Sequence, residues 1–140
     1  MRVVGFNFNK MYAERSSSSY EKLSVKTNID ISEIKGVKQD LFKTEEDFIG
    51  VKFSFNLEYD PNIAKIELTG DIVFSMDSKT AEEVLKQWKT KNIPEDFRIF
   101  LYNFILKKSN VKAFQFEEEL NLPLHIPLPS VRKEEPKKKE

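Results

Sequence analysis

The chain has no cysteine, a single histidine and only four glycines among 140 residues. Without cysteine there are no disulfides, no thiolate nucleophile and no Cys-ligated zinc. The lone histidine, His125, lies in a proline-rich stretch with no second histidine to join it, which argues against a metal site or a His-based general base. The glycines are scattered and form no phosphate-cradling cluster. An excess of one charge is also missing: 23 Lys and Arg balance 23 Asp and Glu, although charged residues make up 33% of the chain. That balance speaks against a dominant nucleic-acid footprint and fits a soluble surface of mixed sign. Long apolar runs are absent too. The N-terminal Met1–Asn7 lacks an extended apolar core, and no run approaches the roughly 20 residues that a membrane helix needs. A cytoplasmic chain with no membrane insertion is therefore expected. Acidic pairs and runs such as Glu45-Glu46, Glu82-Glu83 and Glu117-Glu118-Glu119 stand in charged surroundings and read as solvated, because a catalytic carboxylate pair needs an enclosed site that separates its pKa values. No enzyme signature and no cofactor motif survives this reading.

What the chain does have is phenylalanine, twelve residues against four tyrosines and one tryptophan. Much of it sits in segments of period two, the mark of strands whose successive side chains face opposite ways. Val51, Phe53, Phe55, Leu57 and Tyr59 alternate with polar residues, and after Asp60-Pro61-Asn62 so do Ala64, Ile66, Leu68, Ile72, Phe74 and Met76. These predict two long antiparallel strands joined by a Pro-containing turn. Residues 3 to 12 predict a first strand with Val4, Phe6, Phe8 and Tyr12 on one side. Ser16–Ser19 reads as a mobile loop, and Leu23, Val25, Thr27, Ile29 and Ile31 form a second strand. Residues 32 to 47 read as a loop or irregular edge. Sequential connections favour a meander, with each strand paired to the one before it.

The composition changes after Met76. Asp77 and Ser78 can cap a helix running from about Thr80 to Thr90, along which Ala81, Val84, Leu85 and Trp88 recur at helical spacing. Pro94 restarts the chain, and a second helix runs from Phe97 to about Lys108. It is apolar nearly all round, whereas a helix covering one sheet needs only a stripe of about 100°. A second contact, with a ligand or another subunit, is expected of it. A third helical piece follows Ser109-Asn110 and ends at Asn121. Residues 122 to 129 alternate Leu and Pro and read as an extended segment docked on the domain or on a neighbouring subunit. Residues 130 to 140 are charged and expected to be disordered, which leaves one domain over residues 1 to 129.

The predicted architecture is α+β: a four-stranded antiparallel sheet in meander order, followed by two or three helices packed on one face. The rings of Phe6, Phe8, Phe53, Phe55, Phe97, Phe100 and Phe104 exceed what one sheet against two helices requires, and surplus apolar surface marks polypeptide or subunit contacts. Stacking on single-stranded nucleic acid is disfavoured, because the phenylalanines alternate with Asn, Ser and Glu at least as often as with Lys. Two readings stay open. One is a protein that binds apolar polypeptide; the other is a structural or adaptor protein whose apolar surface forms a fixed oligomer or partner interface.

The order of four strands then helices, together with Tyr59-x-Pro61-x-x-Ala64-x-Ile66-x-x-x-Gly70, a helix ending at Trp88, the restart at Pro94 and the closing Leu122-Pro123-x-x-Ile126-Pro127-x-Pro129, resembles the SecB-like export chaperones in their divergent archaeal or toxin-antitoxin-associated forms. The likeness covers roughly Val3 to Pro129 and is one of pattern. It implies a curved four-stranded sheet with helices on one face, dimers pairing into a tetramer, and long apolar grooves that hold unfolded polypeptide without ATP. Carried onto this sequence, it makes Phe6, Phe8, Phe53, Phe55, Phe100 and Phe104 the candidate peptide-binding residues. The chain departs from the bacterial pattern in lacking a strongly acidic surface for the translocation motor, so any link to export is indirect.

Overall fold

The computed structural model describes residues 1–17, 21–37 and 46–134. Four strands, β1 (Arg2–Arg15), β2 (Ser24–Val37), β3 (Glu46–Asp60) and β4 (Ala64–Asp77), precede α1 (Ser78–Trp88) and α2 (Glu95–Glu119). This is an α+β fold with one four-stranded antiparallel sheet. The strand order is β1-β4-β3-β2, which corrects the meander expectation: β1 passes over β2 and β3 in sequence and pairs with β4. Alternation assigns each strand its faces. It does not choose its neighbour.

β3 and β4 form the centre. On one face Phe53, Phe55, Leu57, Tyr59, Ile66, Leu68, Ile72 and Phe74 are all buried, and α1 and α2 cover that face through Ala81, Val84, Phe97, Leu101, Ile105 and Ala113. The other face is polar, with Lys10 paired to Glu67 at 2.9 Å and Lys52 to Glu33 at 3.7 Å. The Lys10 ammonium holds the Glu67 carboxyl below its ordinary range. Gly70, in the middle of β4, makes room on the buried face: a Cβ there would lie 2.7 Å from the Asn7 carbonyl oxygen and 2.9 Å from the Phe53 ring. A glycine inside a strand marks such a close approach.

The edge strand β1 differs from its expected pattern. Its register slips at Val4 and again at Asn9, each a β-bulge, and an extra residue changes which face the following side chains take. Val3, opposite Phe74, joins the core side, while Val4 is 44% exposed. Tyr12 faces Glu67 on the polar side and does not continue the phenylalanine row. Residues 32 to 37 and 46 to 47 belong to β2 and β3, contrary to the loop expectation, and residues 38 to 45 lie outside the described ones, as do Ser18 and Ser19.

Asp77 caps α1 by accepting from the Thr80 amide at 3.2 Å and from its hydroxyl at 2.6 Å. Those donors hold the Asp77 carboxyl below its usual value. α2 begins after Pro94 with Glu95 and Asp96 at its positive end, which suits the helix dipole. It then runs 25 residues without interruption. Ser109 and Asn110 do not break it. Phe97, Leu101, Ile105, Ser109, Ala113 and Glu117, each four residues after the last, form one buried line along it, so the helices number two among the described residues, within the expected two or three, and the separate third piece is the end of α2. Residues 130 to 134 are exposed, and residues 135 to 140 of the charged tail lie outside the described ones.

Candidate functional site

The six candidate phenylalanines separate by depth. Phe53 and Phe55 are 2% and 0% exposed and belong to the core, so a bound chain does not reach them in this conformation. Phe6 and Phe8 are half-buried on β1, as is Phe104 on α2, and Phe100 is 36% exposed. The Phe6 ring lies 4.9 Å from Phe8 and 5.4 Å from Phe104, both edge to face, and 6.3 Å from Phe53 in a stacked arrangement. Such pairs contribute about 0.5–1.5 kcal/mol beyond their buried area. Phe100 leans on Phe74 at 5.8 Å and shows its other side to solvent. The Lys108 ammonium sits 5.8 Å from the centres of both Phe6 and Phe104, a cation on the rim of the aromatic cluster.

Next to this cluster is an open apolar hollow of about 410 Å³, lined by Met1, Asp96, Ile99, Phe100, Asn103, Phe104 and Lys107. Ile99 is 53% exposed. Met11, opposite Leu68 on the helix side of β1, is also exposed, so apolar surface continues along the edge strand. Apolar surface therefore remains open on α2. It lies between the outer edge of β1 and the N-terminal half of α2. Ile99 and Met1 were missed in sequence, because nothing in a helical repeat shows which of several apolar faces the sheet will cover.

The C-terminal half of α2 carries a second cluster that the sequence concealed. Glu117 is wholly buried. One of its oxygens accepts the Tyr59 hydroxyl and the His125 backbone amide, the latter at 2.7 Å, and the other lies 2.8 Å from His125 Nδ1. His125 Nε2 lies 2.8 Å from Asn110 Oδ1, and the Phe114 ring packs 5.2 Å from the imidazole. Burial and the neighbouring carboxylate push the Tyr59 hydroxyl far above its ordinary range. With the Glu117 and His125 side chains 0% and 1% exposed, no reacting molecule reaches them. The cluster pins residues 122 to 125 against α2 and β3, assisted by Leu122 in the core and by the Arg15 guanidinium, which donates to the Leu120 and Asn121 carbonyls at 2.9 and 2.6 Å. Among the described residues no group of three His, Cys, Asp or Glu side chains could hold a metal ion, and no helix is long and apolar enough to cross a membrane.

The fold, a four-stranded antiparallel sheet with two helices, has a counterpart among solved structures. No family model and no curated protein matches the sequence. Among solved structures the chain is similar to the SecB-like chaperone Rv1957 of Mycobacterium tuberculosis in complex with a ChAD peptide from the antitoxin HigA1. The TM-score is 0.53 at 11% identity, over 96% of this chain and 92% of that one. The likeness is one of fold.

Proposed function

We propose that this protein is a molecular chaperone that holds non-native polypeptide without ATP, taking extended apolar segments into the groove formed by Phe6, Phe8, Ile99, Phe100 and Phe104. The observation that carries this reading is aromatic and aliphatic surface left open on an otherwise well-filled fold, in the SecB-like arrangement. The neighbour of the same fold holds a peptide, which supports a polypeptide ligand here. Each contact is weak and general, since burial of apolar area contributes about 25 cal/mol per Å² whatever the client's sequence. Neither cofactor nor metal enters the scheme, and the protein acts in the cytoplasm on unfolded clients, as an assembly of two or four subunits. Export and the control of a toxin-antitoxin pair are the two settings such a holdase would serve.

The test is suppression of light scattering when a denatured, unrelated protein is diluted from denaturant into buffer containing the purified chain and no nucleotide. Wild type should suppress scattering at near-stoichiometric amounts. Phe100→Ser and Phe104→Ser should lose most of that effect while circular dichroism and oligomeric state are retained. Wild type that is folded yet inert would sink the proposal.

A second reading has its own support. β1 is an outer strand and pairs on one side only among the described residues, and Val4, Met11 and Tyr12 along it are exposed. A fixed subunit interface would use that edge together with the groove. In that case sedimentation would show a stable oligomer that neither binds an apolar dye nor suppresses scattering.

A further inference from the structure

The C-terminal arm is aimed at the groove. Past the end of α2 the chain reverses: the Leu122 amide donates to the Glu117 carbonyl at 2.7 Å, and at His125 the backbone is again beside the Glu117 side chain while the ring reaches Asn110. Asn110, Phe114 and Glu117 lie on one helical face, because side chains three and four residues apart are neighbours. The same steps of three and four lead back from Asn110 to Lys107, Asn103, Phe100 and Asp96, the helical wall of the open hollow. The pinned segment and the groove therefore share one face of α2, end to end. Beyond the pin, Ile126, Leu128 and Val131 are 40%, 55% and 102% exposed, with prolines at 127 and 129.

We propose that Ile126–Val131, which stands off the groove in this structure, closes along α2 over the groove of its own chain as a strap hinged at His125, so that open and closed grooves exchange until a client binds. The inference rests on the reading of the groove as the binding site. The reach is sufficient. Extended at about 3.1 Å per residue, the six residues of the arm span about 19 Å, and from Asn110, which the His125 ring contacts, back to Phe100 the helix rises about 15 Å at 1.5 Å per residue. The chemistry suits cover as well. Proline brings apolar contact without an N–H that would need a partner in the groove, and the Glu117–His125 cluster holds the hinge, so the strap swings from a fixed point. A client displaces it by offering more apolar area than three aliphatic side chains.

The chain has no native cysteine, so one introduced pair reports the contact directly. Full-length protein carrying Lys107→Cys and Ser130→Cys is oxidised mildly in dilute solution, beside a control pair, Glu58→Cys with Ser130→Cys, whose first position lies on the polar face of the sheet. An intramolecular disulfide forming at least about tenfold faster than in the control is expected from the raised effective concentration of the arm. A chain ending at His125, with the hinge intact, should bind the dye anilinonaphthalene sulfonate about fivefold more tightly, because a larger fraction of grooves is open. Equal oxidation rates, disulfides formed only between chains, or unchanged dye affinity would each overturn the strap. Fast intramolecular closure in a protein that never suppresses scattering would leave the strap standing and remove the chaperone reading. Suppression without closure would do the reverse.

Discussion

The N-terminal half of α2 is rich in apolar residues and the C-terminal half in charged and polar ones, and the two meet different fates. In the N-terminal half, Phe97 and Leu101 are buried against the sheet while Ile99 and Phe100 on other faces meet solvent. In the C-terminal half, Ala113 and Glu117 are buried, and a returning segment clothes the face of Asn110, Phe114 and Glu117 through His125. Helical periodicity is therefore a poor guide to exposure at this helix. What decides is whether another piece of chain lies alongside, and here only one half has been given one. The covered half is held by specific hydrogen bonds and the open half by generic apolar contacts, a division that suits the proposed function.

That contrast can be broken from either side. Phe53→Ala, beneath the groove, should cost about 3–5 kcal/mol in urea unfolding, as large-to-small changes of buried aromatics do. A small cost would mean that Phe53 is accessible and part of the groove after all. Glu117→Ala removes the acceptor of the Tyr59 hydroxyl and the His125 amide, and since each unsatisfied buried group costs about 1–3 kcal/mol, a loss of about 3 kcal/mol is expected. Hydrogen exchange should localise the damage to residues 120 to 126. Uniform loosening of the whole sheet would refute the pin. Gly70→Ala forces a methyl group against the Asn7 carbonyl and the Phe53 ring, and overpacking of this kind costs about 1–3 kcal/mol. Phe100→Ser should shift stability by less than about 1 kcal/mol while abolishing most client holding. The smallest effect is one of pH. Folding raises the Tyr59 value, so its stabilisation is complete below about pH 10, the ordinary phenol value, and is lost as pH rises above it. Tyr59→Phe should flatten that alkaline decline, measured as unfolding midpoint against pH.

Much of the fold was legible because it rests on period. The β3–β4 hairpin, the face that each of its strands buries, the cap at Asp77 and the start of α2 after Pro94 all follow from local patterns. The pairing of β1 with β4 was not, because an edge strand looks the same beside either partner. The bulges at Val4 and Asn9 escaped for a related reason, since each breaks the parity on which the reading of Tyr12 depended. Ser109 and Asn110 looked like a helix end, although the line Phe97, Leu101, Ile105, Ser109, Ala113 and Glu117 runs straight through them at a constant step of four. That line was also the available clue to Glu117, which otherwise hides in a run of three glutamates. Its partner His125 was legible only as an isolated histidine. Which phenylalanines line the groove depended on the crossing of α2 over the sheet, a tertiary fact with no local signature.

The two bulges on β1 have a consequence for the protein's own safety. A long, regular outer strand is a template on which any unfolded chain can add itself as another strand, and growth by that route has no natural end. By inserting Val4 and Asn9 the sequence cuts the free row of amides and carbonyls into short, misaligned stretches. An incoming extended chain would find side chains to rest against but no continuous ladder to extend.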